Sequence, residues 1–290
     1  MKKLENLILI TNTTKYIDSI KLNALISYLF ALDCRISMFD SDRITLADMP
    51  EHSSRISEYN PNDDYDAAIV LGGDGSIIEA AHRLLDKQIP LIGINFGHIG
   101  FLTELDAGEF TDIGRAVMGE YTADKRIMLD AVVRDANGEI QCSYTVLNDA
   151  VITNGPIARL IGFDIYCDDV KTDAWRADGI IVATPTGSTA YSLSAGGPVL
   201  APSLECICLT PICPHTLSSR PIIFHAGTKI RIGGIKSNNS TVYLNADGRD
   251  AVKLQDDWTI EIKKSSWETS LIRIKSRSFI DVLHSKLSEK

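Results

Sequence analysis

The sequence has no run of about 18 consecutive apolar residues, so no segment is long enough to cross a bilayer as a helix. It has no excess of positive charge either: 29 Lys and Arg stand against 38 Asp and Glu, a net charge of −9. A general nucleic-acid surface needs a basic face, and that class is excluded. Small anionic ligands are not, because backbone N–H groups and a few arginines can hold phosphate locally. There is no G-x-x-x-x-G-K-[ST] loop, no H-E-x-x-H string and no Ser/His/Asp order, so any phosphate chemistry here is not of the Walker type. No secretory signal is expected either. MKKLENLILI carries two lysines and a short apolar stretch, but Glu5 and Asn6 interrupt it, and TNTTKY follows where a cleavage site would stand. It reads as a first buried strand. The six cysteines are therefore expected as free thiols in a reducing, cytoplasmic compartment. Cys206, Cys208, Cys213 and His215 cluster in CICLTPICPH, yet they lack the C-x₂₋₄-C spacing of a zinc site and read as core and loop thiols.

What is present is a 290-residue chain, 44% hydrophobic and 23% charged, long enough for two domains with their own cores. In the first hundred residues strands and helices alternate. Leu7–Thr11 is of strand length, Ile17–Phe30 has helical spacing, and Arg35–Phe39 is a second strand. Residues 41–64, with Pro50 and Pro61, read as a long surface excursion. DYDAAIVLGGDGS and IPLIGINFGHIGFL each run a strand into a glycine turn, with a helix over Ile77–Leu85 between them. This alternation predicts an α/β domain with a doubly wound parallel sheet.

Near Tyr121 the period changes. Apolar residues alternate from Ile127, a turn falls at Asn137-Gly138, and short strands follow with glycine, proline and asparagine between them. That density predicts an all-β, sandwich-like second domain. Phe279, Val282, Leu283 and Leu287 lie on one face of a closing helix expected to dock on the body. The expected divisions are 1–120, 121–275 and 276–290. No Gly/Ser linker separates the two main parts.

Four segments carry chemistry. Gly72-Gly73-Asp74-Gly75-Ser76 joins a strand to a helix at the carboxyl end of a parallel strand, where open α/β sheets bind ligands. Glycines let backbone approach phosphate, and the helix N-terminus favours negative charge. Asp74 would repel phosphate, so it suits a hydroxyl or a metal ion; the competing reading is a helix cap. Asn95, Gly97 and Gly100 form a second glycine turn at a similar strand end, with His98 in it and no role given to that histidine. Asn148 and Asp149 sit side by side in an apolar strand, where one is expected to face a cleft and the other to take local hydrogen bonds, and a buried carboxylate needs a partner such as a sugar diol. An Asx turn is the alternative. AWRADGIIVATPTGSTAYSLSAGGPVL gathers Arg176, Asp178, Thr184, Thr186, Ser188, Thr189, Tyr191, Ser192 and Ser194 after a buried strand, which implies a polar, closely approached pocket.

At these residues the chain resembles the NAD kinase family. GGDGS, NFGHIGFL, Asn148-Asp149, DGIIVATPTGSTAYSLSAGGP, LTPICPHTLSSRPII and NADG at Asn245–Gly248 match the family pattern in order. GGDG alone is shared with lipid kinases and phosphofructokinases; TPTGSTAYSLSAGGP is specific to NAD kinases. The resemblance implies an α/β domain followed by a β-sandwich-like domain with the active site in the cleft between them. It implies phosphorylation of the adenosine-ribose 2′-hydroxyl of NAD by ATP or polyphosphate, a divalent metal such as Mg²⁺ with no direct protein ligand assigned, and a homodimer or homotetramer. By position, Asp74 corresponds to the proton acceptor, with Gly75 beside it, and Gly72, Gly73, Gly75 and Ser76 to the phosphate loop. Asn148 and Asp149 correspond to the ribose-holding pair, and Arg176 and Asp178 to contacts with the rest of the dinucleotide. Thr189, Ala190, Tyr191, Ser192, Leu193 and Ser194 correspond to the adenosine pocket, and Arg159 and Arg249 to further substrate contacts. Many relatives have Gln where Arg249 stands.

Rival readings are a lipid kinase, which needs an apolar entrance for an acyl chain, and a dehydrogenase, which needs G-x-G-x-x-G after the first strand. ITNTTKY has no glycine. A third is a dinucleotide sensor, which has no need of Asp74 beside phosphate.

Overall fold

The computed structural model describes residues 2–12, 18–47, 49–96, 100–155, 160–215, 219–236, 241–249 and 251–288. The chain forms two compact units, Met1–Lys125 with Thr269–Lys290, and Arg126–Glu268.

The first unit holds β1 (Asn6–Thr11), α1 (Ser19–Ala31), β2 (Arg35–Met38), α2 (Pro50–Ser53), β3 (Ser57–Glu58), β4 (Ala67–Leu71), α3 (Asp74–Arg83), β5 (Leu91–Asn95), β6 (Leu105–Asp106) and α4 (Ile113–Val117). Its parallel sheet runs β5–β4–β1–β2–β3. Consecutive residues of β1 and β4 are buried, the mark of a parallel sheet covered on both faces. Leu7, Leu9, Ile92 and Ile94 share a core with Leu22, Leu25, Ile26 and Leu29 of α1. Gly93, between Ile92 and Ile94, faces the other way, onto Ile77 of α3. This is the doubly wound α/β arrangement the alternation predicts.

Two local expectations shift. Helix α1 begins at Ser19 because Asp18 accepts the N–H groups of Ile20 (2.9 Å) and Lys21 (3.4 Å). The buried stripe then falls on Leu22, Leu25, Ile26 and Leu29, and Ile20 is 78% exposed. Ile17 lies outside the described residues. The segment expected to be a surface excursion instead buries Asp42, Leu46, Met49 and Ile56. The reason is long-range. Both oxygens of Asp42 accept the Arg83 guanidinium at 3.1 Å, and Asp42 also takes the Thr11 N–H at 3.2 Å.

The second unit is all β. The strands are β7 (Thr122–Arg134), which enters it from the first unit, β8 (Ile140–Val146), β9 (Asp149–Asn154), β10 (Ile161–Cys167), β11 (Val170–Ala177), β12 (Gly179–Ala183), β13 (Cys206–Ile212), β14 (Ile222–His225), β15 (Ile230–Lys236), β16 (Val242–Ala246), β17 (Val252–Leu254) and β18 (Thr259–Arg273), which leaves it. A short helix, α5 (Tyr191–Ser194), interrupts them. The β7–β8 hairpin closes over Asp135–Glu139, with Gly138 at φ +83° and Asp135 Oδ1 accepting the N–H groups of Asn137 and Glu139. One antiparallel sheet runs β14–β13–β12–β9–β16–β17, and a second runs β11–β10–β15–β18. Ile152, Ile180 and Leu209 of the first pack in one core with Phe163, Trp175, Ile232 and Ile262 of the second. Two sheets sharing a core make the expected sandwich. All six cysteines are free, and Cys206 and Cys208 are buried in β13.

The C-terminal helix α6 (Phe279–Ser288) is started by a reciprocal pair. Ser278 Oγ accepts the Asp281 N–H and Asp281 Oδ2 accepts the Ser278 N–H, each at 3.1 Å. Phe279, Val282 and Leu283 are half-buried, and the Phe279 ring lies 6.4 Å from that of Phe101. Ile280 is 53% exposed. Half-burial of three side chains carries roughly 1–3 kcal/mol. Ending the chain at Ser276 is therefore expected to lower Tm by a few degrees in calorimetry. An unchanged Tm would show that α6 contributes nothing to stability.

Candidate active site

The first cluster forms where β4 meets α3. Gly72 adopts φ +149°, and a Cβ there would overlap Ser76 Oγ, so only glycine fits. Ser76 is buried and takes a hydrogen bond from Asn12 Nδ2 at 3.1 Å. At Gly73 and Gly75 the space a Cβ would fill is open, so backbone at the start of α3 can be approached closely. Asp74 is the first residue of α3. The N-cap is Gly73, with no side-chain cap bond, so the capping alternative for Asp74 does not hold. Its carboxylate instead crosses to the second glycine turn. Oδ2 accepts the Phe101 N–H and Oδ1 the Leu102 N–H, both at 2.9 Å. A Cβ on Gly100 would run into that carboxylate, and this is the physical reason for glycine there. Thr103 Oγ1 accepts the Gly100 N–H at 3.0 Å and fixes the turn. Gly97 and His98 lie outside the described residues.

The second cluster lies wholly in the β unit. A concavity of about 440 Å³ is lined by Asn148, Asp149, Val151, Thr153, Ala190, Tyr191, Asn245, Asp247 and Gly248. Its frame is a residue that sequence reasoning left without a role. Asp247, at φ +52°, accepts the N–H groups of Leu147 (2.6 Å), Asn148 (2.8 Å) and Asp149 (3.0 Å), and its own N–H bonds Asp149 C=O. The Asp-Gly pair after a strand is a turn signal, but its target lies about a hundred residues upstream. Asp149 is 6% exposed, and burial first, then the neighbouring Asp247 charge, push its carboxyl up to about 7. Among the described residues none donates a hydrogen bond to that carboxylate. Asp149 is the first residue of β9, and among the described residues its carboxylate takes no following backbone N–H, as the competing Asx turn would need.

The hydroxyl-rich segment builds the wall of this concavity more than it lines it. Thr184 Oγ donates to Leu147 C=O at 2.6 Å and accepts the Gly187 N–H. A Cβ on Gly187 would overlap Asn148 C=O. Ser188 Oγ donates to Pro185 C=O and accepts the Leu200 N–H. Ser192 shares its buried hydroxyl with Thr210 at 2.9 Å, and Thr189 donates to Thr186 C=O at 3.3 Å. Ala190 and Tyr191 reach the concavity, with Tyr191 45% exposed; Leu193 is half-buried and Ser194 exposed.

Of the remaining candidates, Arg176 is exposed on β11 and lines a different concavity with Gly162, Asp164 and Lys236. Asp178 is half-buried, its backbone bonded to Ile212 and Asn154. Arg249 is exposed and donates to Ala246 and Thr145 C=O. Arg159 lies outside the described residues. No group of three or more His, Cys, Asp or Glu side chains gathers as a metal cage among the described residues. No helix among them is long and apolar enough to cross a membrane.

Two family models match the chain. The ATP-NAD kinase N-terminal domain family matches residues 17–121, and the ATP-NAD kinase C-terminal domain family matches residues 147–274. A protein named NAD kinase from Geobacter sulfurreducens is 41% identical over 223 residues, 77% of this chain and 78% of its own. Another from a Thermoanaerobacter species is 45% identical over 226 residues, 78% and 79% of the two chains. Among solved structures, an NAD kinase from Archaeoglobus fulgidus in complex with ATP has a TM-score of 0.74 at 25% identity, covering 98% of both chains. Yeast NADH kinase complexed with NADH shares the fold, with a TM-score of 0.84 at 24% identity over 99% of this chain and 87% of its own. This chain belongs to the NAD kinase family.

Proposed function

We propose that the protein transfers the terminal phosphoryl group of ATP, or of polyphosphate in its place, to the 2′-hydroxyl of the adenosine ribose of NAD, giving NADP. The observation that carries the acceptor half is the Asp149 carboxylate, desolvated in a concavity of about 440 Å³ with no hydrogen-bond donor to it among the described residues. A ribose hydroxyl supplies the missing donor, and Asn148 beside it adds an amide. Asn148, Asp149, Asn245 and Asp247 on its lining offer hydrogen-bonding groups that a sugar can use and the acyl chain of a lipid-kinase substrate cannot. Tyr191 offers an aromatic face to a base.

Asp74 is the proton acceptor in this reading. As the hydroxyl oxygen attacks the terminal phosphorus, its proton passes to the carboxylate and the donor's shortened phosphate chain leaves. Backbone N–H groups at the start of α3 face the phosphates. In this reading a divalent ion is carried on the donor's phosphates, since Mg²⁺ commonly binds phosphates, water and only one or two carboxylates, and no larger cage of His, Cys, Asp or Glu gathers among the described residues. Such an ion neutralises phosphate charge. On the family resemblance the reading includes a cytoplasmic homodimer or homotetramer, with Arg159, Arg176, Asp178 and Arg249 as further dinucleotide contacts.

The direct test is incubation with NAD, ATP and magnesium, followed by detection of NADP; no NADP with either donor would refute the reading. Asp74→Asn is expected to lower kcat about 10²-fold or more while NAD still binds. Retention of more than about a tenth of the wild-type kcat would remove the base role. Because both oxygens of Asp74 accept N–H groups, the amide also sets a donor against one of them. Gly100→Ala, which leaves the carboxylate in place chemically but crowds it, is accordingly expected to lower kcat as well.

A hydroxyl donating to Asp149 favours its ionised form. NAD affinity is therefore expected to rise as pH passes upward through about 7, and Asp149→Asn should flatten that dependence. Calorimetric titrations showing the same slope in both proteins would move the ribose away from Asp149.

A further inference from the structure

The two N–H groups that hold Asp74 belong to a turn whose carbonyls are gathered by one distant side chain. Arg273, the last residue of β18, donates from Nη2 to Phe101 C=O (3.4 Å) and from Nη1 to Leu102 C=O (3.2 Å) and Thr103 C=O (3.4 Å). Nη1 also meets Glu104 Oε2 at 3.3 Å, and Nε meets Asp124 Oδ2 at 3.1 Å. Glu104 is buried and anchors the same strand end, accepting the N–H groups of Ile274 (2.7 Å) and Lys275 (2.6 Å). The peptide joining Phe101 to Leu102 is the link. Its C=O accepts from Arg273 and its N–H donates to Asp74 Oδ1. Hydrogen bonds in series polarise one another, so the guanidinium both places this N–H and strengthens it as a donor. A fork is needed to reach three successive carbonyls and two carboxylates at once, and a lysine ammonium has none.

We propose that Arg273 is a positioning residue for phosphoryl transfer, fixing the Asp74 carboxylate through the Phe101–Thr103 backbone. The inference rests on Asp74 acting as the proton acceptor. It differs from a purely stabilising ion-pair network with Glu104 and Asp124, which would hold the strand end without touching the reaction.

The test uses the full chain. Arg273→Lys is compared with wild type for Tm, kcat, KM for NAD and amide hydrogen exchange over residues 100–104. A misplacement of the reacting groups by about 1 Å can cost about 10²-fold, so kcat is expected to fall about tenfold or more while KM for NAD moves less than about twofold. Exchange at 101–102 should quicken. In an Asp74→Ala background, Arg273→Lys should lower kcat no further, since a residue acting through Asp74 has nothing left to act on. Lys275→Gln, which breaks the neighbouring Lys275–Glu109 pair, should lower Tm yet leave kcat unchanged. If the lysine variant does not fold, Arg273→Gln serves, with the same expectations. Wild-type kcat in the folded Arg273 variant, an equal further loss in the Asp74→Ala background, or an equal kcat loss in Lys275→Gln would overturn the proposal alone. Wild-type kcat in Asp74→Ala would overturn the acceptor reading and this proposal with it.

Discussion

Backbone N–H groups left over where strands end and turns begin need an acceptor, and in this protein carboxylates from distant parts of the chain supply it. Asp247 takes three successive N–H groups at the start of β9. Asp74 takes two from the turn after β5. Glu104 takes two beyond the end of β18, Asp66 takes those of Glu5 and Asn6 at the start of β1, and Asp42 takes that of Thr11 at its end. A carboxylate is well suited to this, because it offers two oxygens with several lone pairs and gains from donors in a charge-assisted way. At Asp66 burial pushes the carboxyl up, yet the N–H groups of Asn6 and Glu5, with Lys2, leave it below the usual range. The net charge of −9 is thus partly architectural.

The same constraint explains why two acids near the candidate chemistry differ. Asp247 is saturated with backbone donors and serves as frame. Asp149, one strand away, has burial and a neighbouring negative charge but no donor to its carboxylate among the described residues, so its ionised form is costly. A well-partnered carboxylate and an unpartnered one are thereby made from the same residue type by the supply of N–H groups and the degree of burial. Asp74 stands between these cases. Its two bonded oxygens are oriented by the backbone but keep further lone pairs.

Much of this was legible in the chain. The apolar runs Leu7–Thr11 and Ala67–Leu71 announced buried parallel strands, and the alternation from Ile127 announced the sandwich. Each depends on side-chain periodicity over a few residues. The start of α1 was read two residues early because the apolar pattern extends past the cap, and Asp18 decides the boundary by its hydrogen bonds. The hydroxyls of TPTGSTAYS were read as pocket lining, whereas Thr184, Ser188 and Ser192 are occupied with backbone and with Thr210. Composition cannot separate a hydroxyl that faces a ligand from one that satisfies a tight turn.

By itself the sequence determined the two architectures, the glycine turns and the side-by-side Asn148-Asp149, since these follow from local periodicity, steric permission and short motifs. The tertiary structure decided the pairings. Asp74 meets N–H groups 27 and 28 residues away, Asp247 those 98 to 100 away, and Glu104 those 170 and 171 away. No short window records such a partner, because a carboxylate is compatible with any exposed donor until the fold brings one donor to it and removes the water that would otherwise compete.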